Sequence, residues 1–391
     1  MNAGAVFRRF ELHAADAATL ASVENVLNAA ERVGVSADRR PRHSPLVLEA
    51  RLSGRAPVVS KVLAGLRRLS GVRISRDMVK LRPDRRHEPN GHVYPDRRAL
   101  FRMGVEPAEP ADAQAEVPDA NLVTVAIVDS GITVGHRILR PHLWNGVGGI
   151  RGKRLIDGMS EGDITDEDGH GTMLAGIVLA AADRDPAVRI MTAKFFDTAT
   201  PARPDNAAAA INFAVENGAN IINLSWSVGL GSARLQTAVE NACRHALVVI
   251  AAGNFGSNND HVFRAPPKYA RTFSDTSITV MATDAFDEKA WFSNYGQKSV
   301  DLAAPGVGIV STRRFLSRTA AVGSRQFRTY SGTSAAAAFV SGAAALLKSQ
   351  NPKLTATELK TRLMDTVDEL PSLKRKCVRG GRLNIGKALA R

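Results

Sequence analysis

Three glycine-flanked turns, met in the order Asp, His, Ser, constrain this chain more than any other feature. An apolar run, Val125-Ala126-Ile127-Val128, ends on Asp129-Ser130-Gly131. The turn Asp168-Gly169-His170-Gly171-Thr172 opens an apolar helix pattern, and Ser331-Gly332-Thr333-Ser334-Ala335 opens an Ala-rich one. They supply an acid, a base and a nucleophile, the three parts of a hydrolytic triad. The same triad geometry is built by three unrelated chain orders on different folds, so the order selects a fold as well as a chemistry.

The sequence around these turns has the matching rhythm. Short apolar runs at Leu122–Val128, Val188–Thr192, Ile221–Leu224, Ala246–Ala251 and Ile278–Met281 alternate with helix patterns at Thr172–Ala182, Asn206–Asn217 and Ala233–Arg244. Such alternation predicts an α/β fold, a parallel sheet with helices on both faces. Asp129 then stands at the carboxyl edge of the sheet, where open α/β folds place their sites. His170 opens a helix running through Met173, Leu174, Ile177 and Val178. Ser334 opens another, whose free N–H groups and dipole favour a developing oxyanion. In this reading Ser334 attacks a carbonyl, His170 takes and returns the proton, and Asp129 fixes the histidine tautomer. The run Ala251-Ala252-Gly253-Asn254 breaks at Gly253 and presents an amide that could donate to the oxyanion.

A chain of 391 residues suggests more than one domain. Residues 1–83 read as a small α+β, ferredoxin-like domain, with strands at 6–12, 46–52 and 74–81, a further strand near 33–37, and helices at 17–33 and 58–69. Residues 84–118 accumulate Pro, Ala and charge without periodicity and read as a linker, leaving 119–391 as the catalytic domain. The net charge of +14 permits polyanion attraction, but no aromatic-interleaved motif accompanies it, which argues against nucleic acid as a partner. Two cysteines, Cys243 and Cys377, make no disulfide framework. The first ten residues carry no apolar core of a secretory signal, and no apolar run is long enough for a bilayer. The expectation is a cytoplasmic protein with no membrane partner.

The motifs Asp129-Ser130-Gly131, His170-Gly171-Thr172 with Ala175-Gly176, Ala251-Ala252-Gly253-Asn254 and Gly332-Thr333-Ser334-Ala335-Ala336 resemble those of the subtilisin-like serine proteases, the subtilases. Asn223-Leu224-Ser225, Phe292-Ser293-Asn294-Tyr295-Gly296, Ala304-Pro305-Gly306 and Gly381-Arg382-Leu383-Asn384 extend the resemblance over Leu122–Leu389. It implies a subtilisin-like sheet and a serine endopeptidase forming an acyl-enzyme, with Asp129, His170 and Ser334 catalytic and Asn254 in the oxyanion hole. It also implies a protein or peptide substrate laid as an extended strand beside Ser225, Trp226 and Ser227, with Gly253 nearby. Trp226 and Ser227 depart from the small glycines usual there, and Trp226 reads equally as a core residue. Arg264, before Ala265-Pro266-Pro267, falls beside the expected pocket for the side chain preceding the scissile bond, where a guanidinium would favour Asp or Glu; the other reading is a surface arginine in a chain full of them. The first domain resembles the subtilase propeptide, which implies that it acts as an inhibitor of its own chain; the alternative is a regulatory domain that stays attached as a sensor or partner-docking module. No cofactor is required. Calcium is possible, as in many subtilases, but the run Asp157, Glu161, Asp163, Asp166, Glu167, Asp168 lacks regular ligand spacing and reads as a solvated acidic loop, so no metal ligand is assigned. The rival reading is a catalytically quiet module that holds peptides on a protease fold.

Overall fold

Each apolar run of the protease-like region is a strand buried on both faces, because successive side chains along it enter two different cores. The computed structural model describes residues 5–14, 36–41, 47–55, 72–79, 97–105, 117–156, 162–228, 231–314 and 326–391. The chain divides into two units, Met1–Gly91 and His92–Arg391.

In the first unit, β1 (Ala5–Ala14), β2 (Ser36–Pro41), β3 (Val47–Arg55) and β4 (Val72–Val79) form a sheet in the order β2-β3-β1-β4. Every neighbouring pair is antiparallel. Strands therefore stand where alternation predicted them, the one placed near 33–37 beginning at Ser36. The helices expected over 17–33 and 58–69, which the ferredoxin-like reading also needs, lie outside the described residues.

The second unit opens with α1 (Arg97–Arg102), inside the span read as a linker. Ala99, Leu100 and Met103 are buried in the main core. Arg102 donates to the Asp284 carbonyl at 2.8 Å and to the Asp287 carboxylate at 2.9 Å, and its own carbonyl accepts from Arg382 at 2.7 Å. The short apolar stripe was hidden by the charges around it.

Then follow β5 (Val123–Asp129), β6 (Gly152–Arg154), α2 (His170–Ala181), β7 (Val188–Lys194), α3 (Pro204–Glu216), β8 (Ile221–Leu224), α4 (Ala233–His245), β9 (Leu247–Ala251), β10 (Ser277–Thr283) and β11 (Leu302–Pro305). A hairpin of β12 (Ile309–Thr312) and β13 (Phe327–Tyr330) leads into α5 (Thr333–Gln350). The unit closes with α6 (Ala356–Asp365), β14 (Asp368–Glu369), β15 (Gly381–Arg382) and α7 (Ile385–Ala390).

The sheet order is β14-β15-β11-β10-β9-β8-β5-β7-β6, parallel except for the β14–β15 pair. Strand order reverses at β5, with β7 and β6 on one side and β8 to β11 on the other. A crevice outside the carboxyl ends of the strands is expected at such a reversal. Asp129 is the last residue of β5. Val123, Val125 and Ile127 enter the core that holds α2 and α5, whereas Ala126 and Val128 enter the core that holds α3 and α4.

Small residues let α5 lie close to α2. A Cβ on Gly342 would stand 2.3 Å from the Val178 carbonyl oxygen and 2.6 Å from the Ala181 Cβ. Gly342→Ala should therefore destabilise the protein by about 1–3 kcal/mol through overpacking. The measurement is urea unfolding, with a lower midpoint at an unchanged slope.

Candidate active site

The three turns converge at the carboxyl edge of the sheet. His170 is the first residue of α2, and its Nδ1 lies 2.8 Å from Asp129 Oδ1. A nitrogen facing a carboxylate carries the proton, so Nδ1–H donates and Nε2 is left as the acceptor. Asp129 is fully buried; Oδ1 also accepts from the Ser130 amide at 2.8 Å, while Oδ2 has no hydrogen-bond partner. The His170 side chain keeps 29% of its surface exposed, so the base reaches the cleft. Burial of the ring opposes its charge, but the Asp129 carboxylate, with Asp168 and Asp166 adding to it, outweighs burial and raises the His170 pKa above 6.5.

Among the described members of the acidic run before His170, Asp163 and Asp168 are exposed as a solvated loop would have them, whereas Glu167 is half-buried and Asp166 is drawn into the protein. Asp166 is 1% exposed and accepts four hydrogen bonds: Ser130 Oγ at 2.9 Å, Gly169 N at 2.7 Å, Thr172 N at 2.8 Å and Thr172 Oγ1 at 2.6 Å. One carboxylate thereby ties the Asp129 turn to the first turn of α2. Lys194, fully buried at the end of β7 and paired in register with Asp129, donates to Glu167 and to the Thr165 carbonyl. Arg154 pairs with Asp197 at 2.6 Å and with Asp163 at 3.5 Å. Protein donors and cations thus occupy the carboxylates of Asp163, Asp166 and Glu167, and these residues do not fit a calcium site. Asp157 and Glu161 lie outside the described residues. No group of three or more His, Cys, Asp or Glu side chains among the described residues is placed to hold a metal ion.

Ser334 lies in the first turn of α5, 8% exposed. Its hydroxyl donates to the Ser225 carbonyl at 2.9 Å, and Ser225 Oγ donates to the Ser334 carbonyl at 3.1 Å. In this conformation the hydroxyl rests on Ser225 rather than on His170. Asn254 follows Gly253, which has φ 104°. Its Oδ1 accepts from both Thr333 N and Thr333 Oγ1 at 2.9 Å, which fixes the amide and leaves Nδ2 as the open donor. Gly332 marks where the groups converge. A carbon in its Cβ position would stand 3.5 Å from Asn254 Nδ2, 3.8 Å from Ser334 N and 3.9 Å from Ser334 Oγ. A hydroxyl and two N–H groups therefore lie around one small volume, an arrangement suited to acyl transfer.

Residues 120–380 match the subtilase family, Peptidase S8. The chain belongs to that family. It is 32% identical to subtilisin DY of Bacillus licheniformis over 256 residues, covering 63% of this chain and 84% of that protein. To thermitase of Thermoactinomyces vulgaris it is 31% identical over 282 residues, covering 70% of this chain and 91% of that protein. Its fold is similar to that of a cold adapted subtilisin-like serine proteinase, with a TM-score of 0.56, 23% identity and coverage of 75% of this chain and 97% of that one. The protein is a subtilisin-like serine protease, a hydrolase, and the expected sheet with helices on both faces is the fold observed.

The residues expected beside the substrate in this subtilase are placed less uniformly than those of the three turns. Ser225 is 3% exposed, and its hydroxyl also accepts from Asn223 Nδ2 at 2.8 Å, so its side chain braces the nucleophile's segment. The Trp226 indole N–H donates to the Val128 carbonyl at 2.9 Å, with its ring 5.0 Å from that of Phe195. Trp226 thus packs against the α3–α4 core, in line with the second of the two readings open for it. Ser227 Oγ lies 3.6 Å from the position a Cβ on Gly253 would take. Val228 and Ala265 form an antiparallel bridge that brings Arg264 to this segment. The Arg264 guanidinium stands 4.4 Å above the ring of Phe255, one residue past Asn254, and makes no salt bridge among the described residues.

Sequence reasoning missed Asp166 as a brace and Thr333 as the anchor of Asn254. Asp166 was visible only as one acid among six. Thr333 was quoted in its motif, but nothing local announces that its hydroxyl faces an amide 79 residues away.

Proposed function

We propose that this subtilase cleaves peptide bonds of proteins or peptides through Ser334, His170 and Asp129, with Asn254 and the Ser334 amide holding the oxyanion. The convergence of Asn254 Nδ2, Ser334 N and Ser334 Oγ on one volume carries the reading. On substrate binding the Ser334 hydroxyl turns from Ser225 to His170; such hydrogen bonds commonly tighten only in the complex. Oγ then bonds the scissile carbonyl carbon, its proton passes to His170 Nε2, and the carbonyl oxygen takes the negative charge. Collapse expels the amine, which leaves with the proton from Nε2. Water attacks the acyl-enzyme by the same route and releases the new carboxyl end. No organic cofactor enters. Labelling by a fluorophosphonate together with turnover of a quenched peptide tests the reading; no labelling would favour the quiet peptide-holding module.

Arg264 supports a finer assignment. A cation over Phe255, without a carboxylate of its own, suits Asp or Glu immediately before the scissile bond. Profiling with a peptide library should show acidic residues preferred there by about tenfold. Arg264→Ala should remove that preference and leave neutral substrates unaffected. A preference of the native enzyme for large apolar residues would exclude this role.

The first unit is proposed as the enzyme's own inhibitor, removed or displaced on activation. Its separate antiparallel sheet and its place ahead of the protease unit support this reading. Both cysteines are buried free thiols, with burial pushing Cys243 up to about 12 and Cys377 to about 11. Unreactive thiols of this kind suit a cytoplasmic site of action, which fractionation of the native host would test.

A further inference from the structure

We infer that Asn294 is a positioning residue for the oxyanion donor Asn254, an inference that rests on the role assigned to Asn254 above. Asn254 sits on the exposed turn after β9, and an oxyanion donor works only if its amide is held still before the reaction starts. Thr333 fixes the end of its side chain. The peptide groups on either side of it are fixed by a different residue.

Asn294 is fully buried, and its backbone N–H and both ends of its carboxamide are spent on this turn and on Asn259. Its backbone N–H donates to the Gly253 carbonyl at 2.8 Å, immediately before Asn254. Its Oδ1 accepts from the Phe255 amide at 3.0 Å, immediately after Asn254, and from the Ser257 amide at 2.9 Å. Its Nδ2 donates to the Ala252 carbonyl at 2.9 Å and to Asn259 Oδ1 at 3.0 Å. Asn259 in turn donates to the same Ala252 carbonyl at 2.9 Å. A carboxamide is the one side chain that offers an acceptor for two amides and two donors for carbonyl oxygens from a single planar group. The fit is close, since a Cβ on Gly253 would stand 2.6 Å from Asn294 Nδ2. Asn294 thus grips residues 252, 253, 255 and 257, the peptide groups on both sides of Asn254. It touches no reacting atom and acts through Asn254.

A double-mutant cycle tests this. kcat and KM are measured on one peptide substrate for the native protein, Asn254→Ala, Asn294→Ala and the double variant. Loss of the grip should lower kcat by about 10–100-fold with KM changed by less than about twofold. With Asn254 already replaced, the same Asn294 substitution should lower kcat by no more than about threefold, because the group it positions is gone. Losses that multiply across the cycle, or a rise in KM at constant kcat, would overturn the inference and leave the role of Asn254 standing. If Asn254→Ala alone leaves kcat intact, the oxyanion assignment itself fails, and the inference with it. Asn294→Asp keeps the acceptor for Phe255 and Ser257 and is carried through the same cycle, so that it decides the matter should Asn294→Ala not fold. It should lose less kcat than Asn294→Ala, and nothing further once Asn254 is Ala; losses that multiply overturn the inference here too.

Discussion

Replacing Ser334 by Ala should leave a folded protein that turns over no peptide. The expected fall in kcat is about 10⁶-fold, a figure that belongs to the nucleophile of subtilisin itself. The substitution removes one oxygen from a side chain 8% exposed, and the hydrogen bond it forfeits is the one to the Ser225 carbonyl. Neither the α5 helix nor the Asn254–Thr333 contacts depend on it, so thermal unfolding should move little. Fluorophosphonate labelling should disappear in parallel with turnover. Intact-mass measurement on the same pair tests whether the enzyme removes its own first unit. The native protein should lose an N-terminal segment on incubation, and Ser334→Ala should keep its full length. Full-length mass in both would exclude self-cleavage under those conditions. Residual turnover of a few per cent, in a preparation free of contaminating protease, would mean that another group attacks the carbonyl.

Asp129→Asn is the second large effect, with kcat expected to fall by about 10⁴-fold. The asparagine fills the same space at the end of β5, but it no longer offers a charge to the imidazolium that forms as Ser334 gives up its proton. The pH profile carries the signature. Burial alone would lower the His170 pKa; Asp129, aided by Asp168 and Asp166, reverses that and places it above 6.5. Catalysis needs the neutral ring, so the acid limb of kcat/KM in the native enzyme lies above pH 6.5 and activity is lost as pH falls through it. With the Asp129 charge removed, burial has less to oppose it and the limb moves to lower pH. An acid limb that stays in place after this substitution would separate Asp129 from His170.

The sheet and the turns that carry Asp129, His170 and Ser334 were legible in the sequence because they rest on local signals. Buried parallel strands are written as continuous apolar runs, and a catalytic turn needs glycine beside the functional side chain. The elements that escaped depend on distant partners. α1 is a short helix whose stripe, Ala99, Leu100 and Met103, acquires meaning only inside the main core, where the Met103 carbonyl accepts from the Gly386 amide of α7. Asp166 looked like its acidic neighbours, and only the fold shows Ser130 and Thr172 arranged around it. Trp226 was ambiguous for the same reason. Its indole N–H could have faced peptide or core, and it donates to the Val128 carbonyl while the ring stays half-buried.

The clasp formed by Arg102, Asp287, Asp368 and Arg382 joins α1 to the closing strands of the protease unit. Loose ends are where proteolytic nicking usually starts. An endopeptidase lives among copies of itself, and each frayed tail would be bait for its siblings. By knotting α1 to the last strands of its own unit, the clasp leaves those siblings little to seize at that seam.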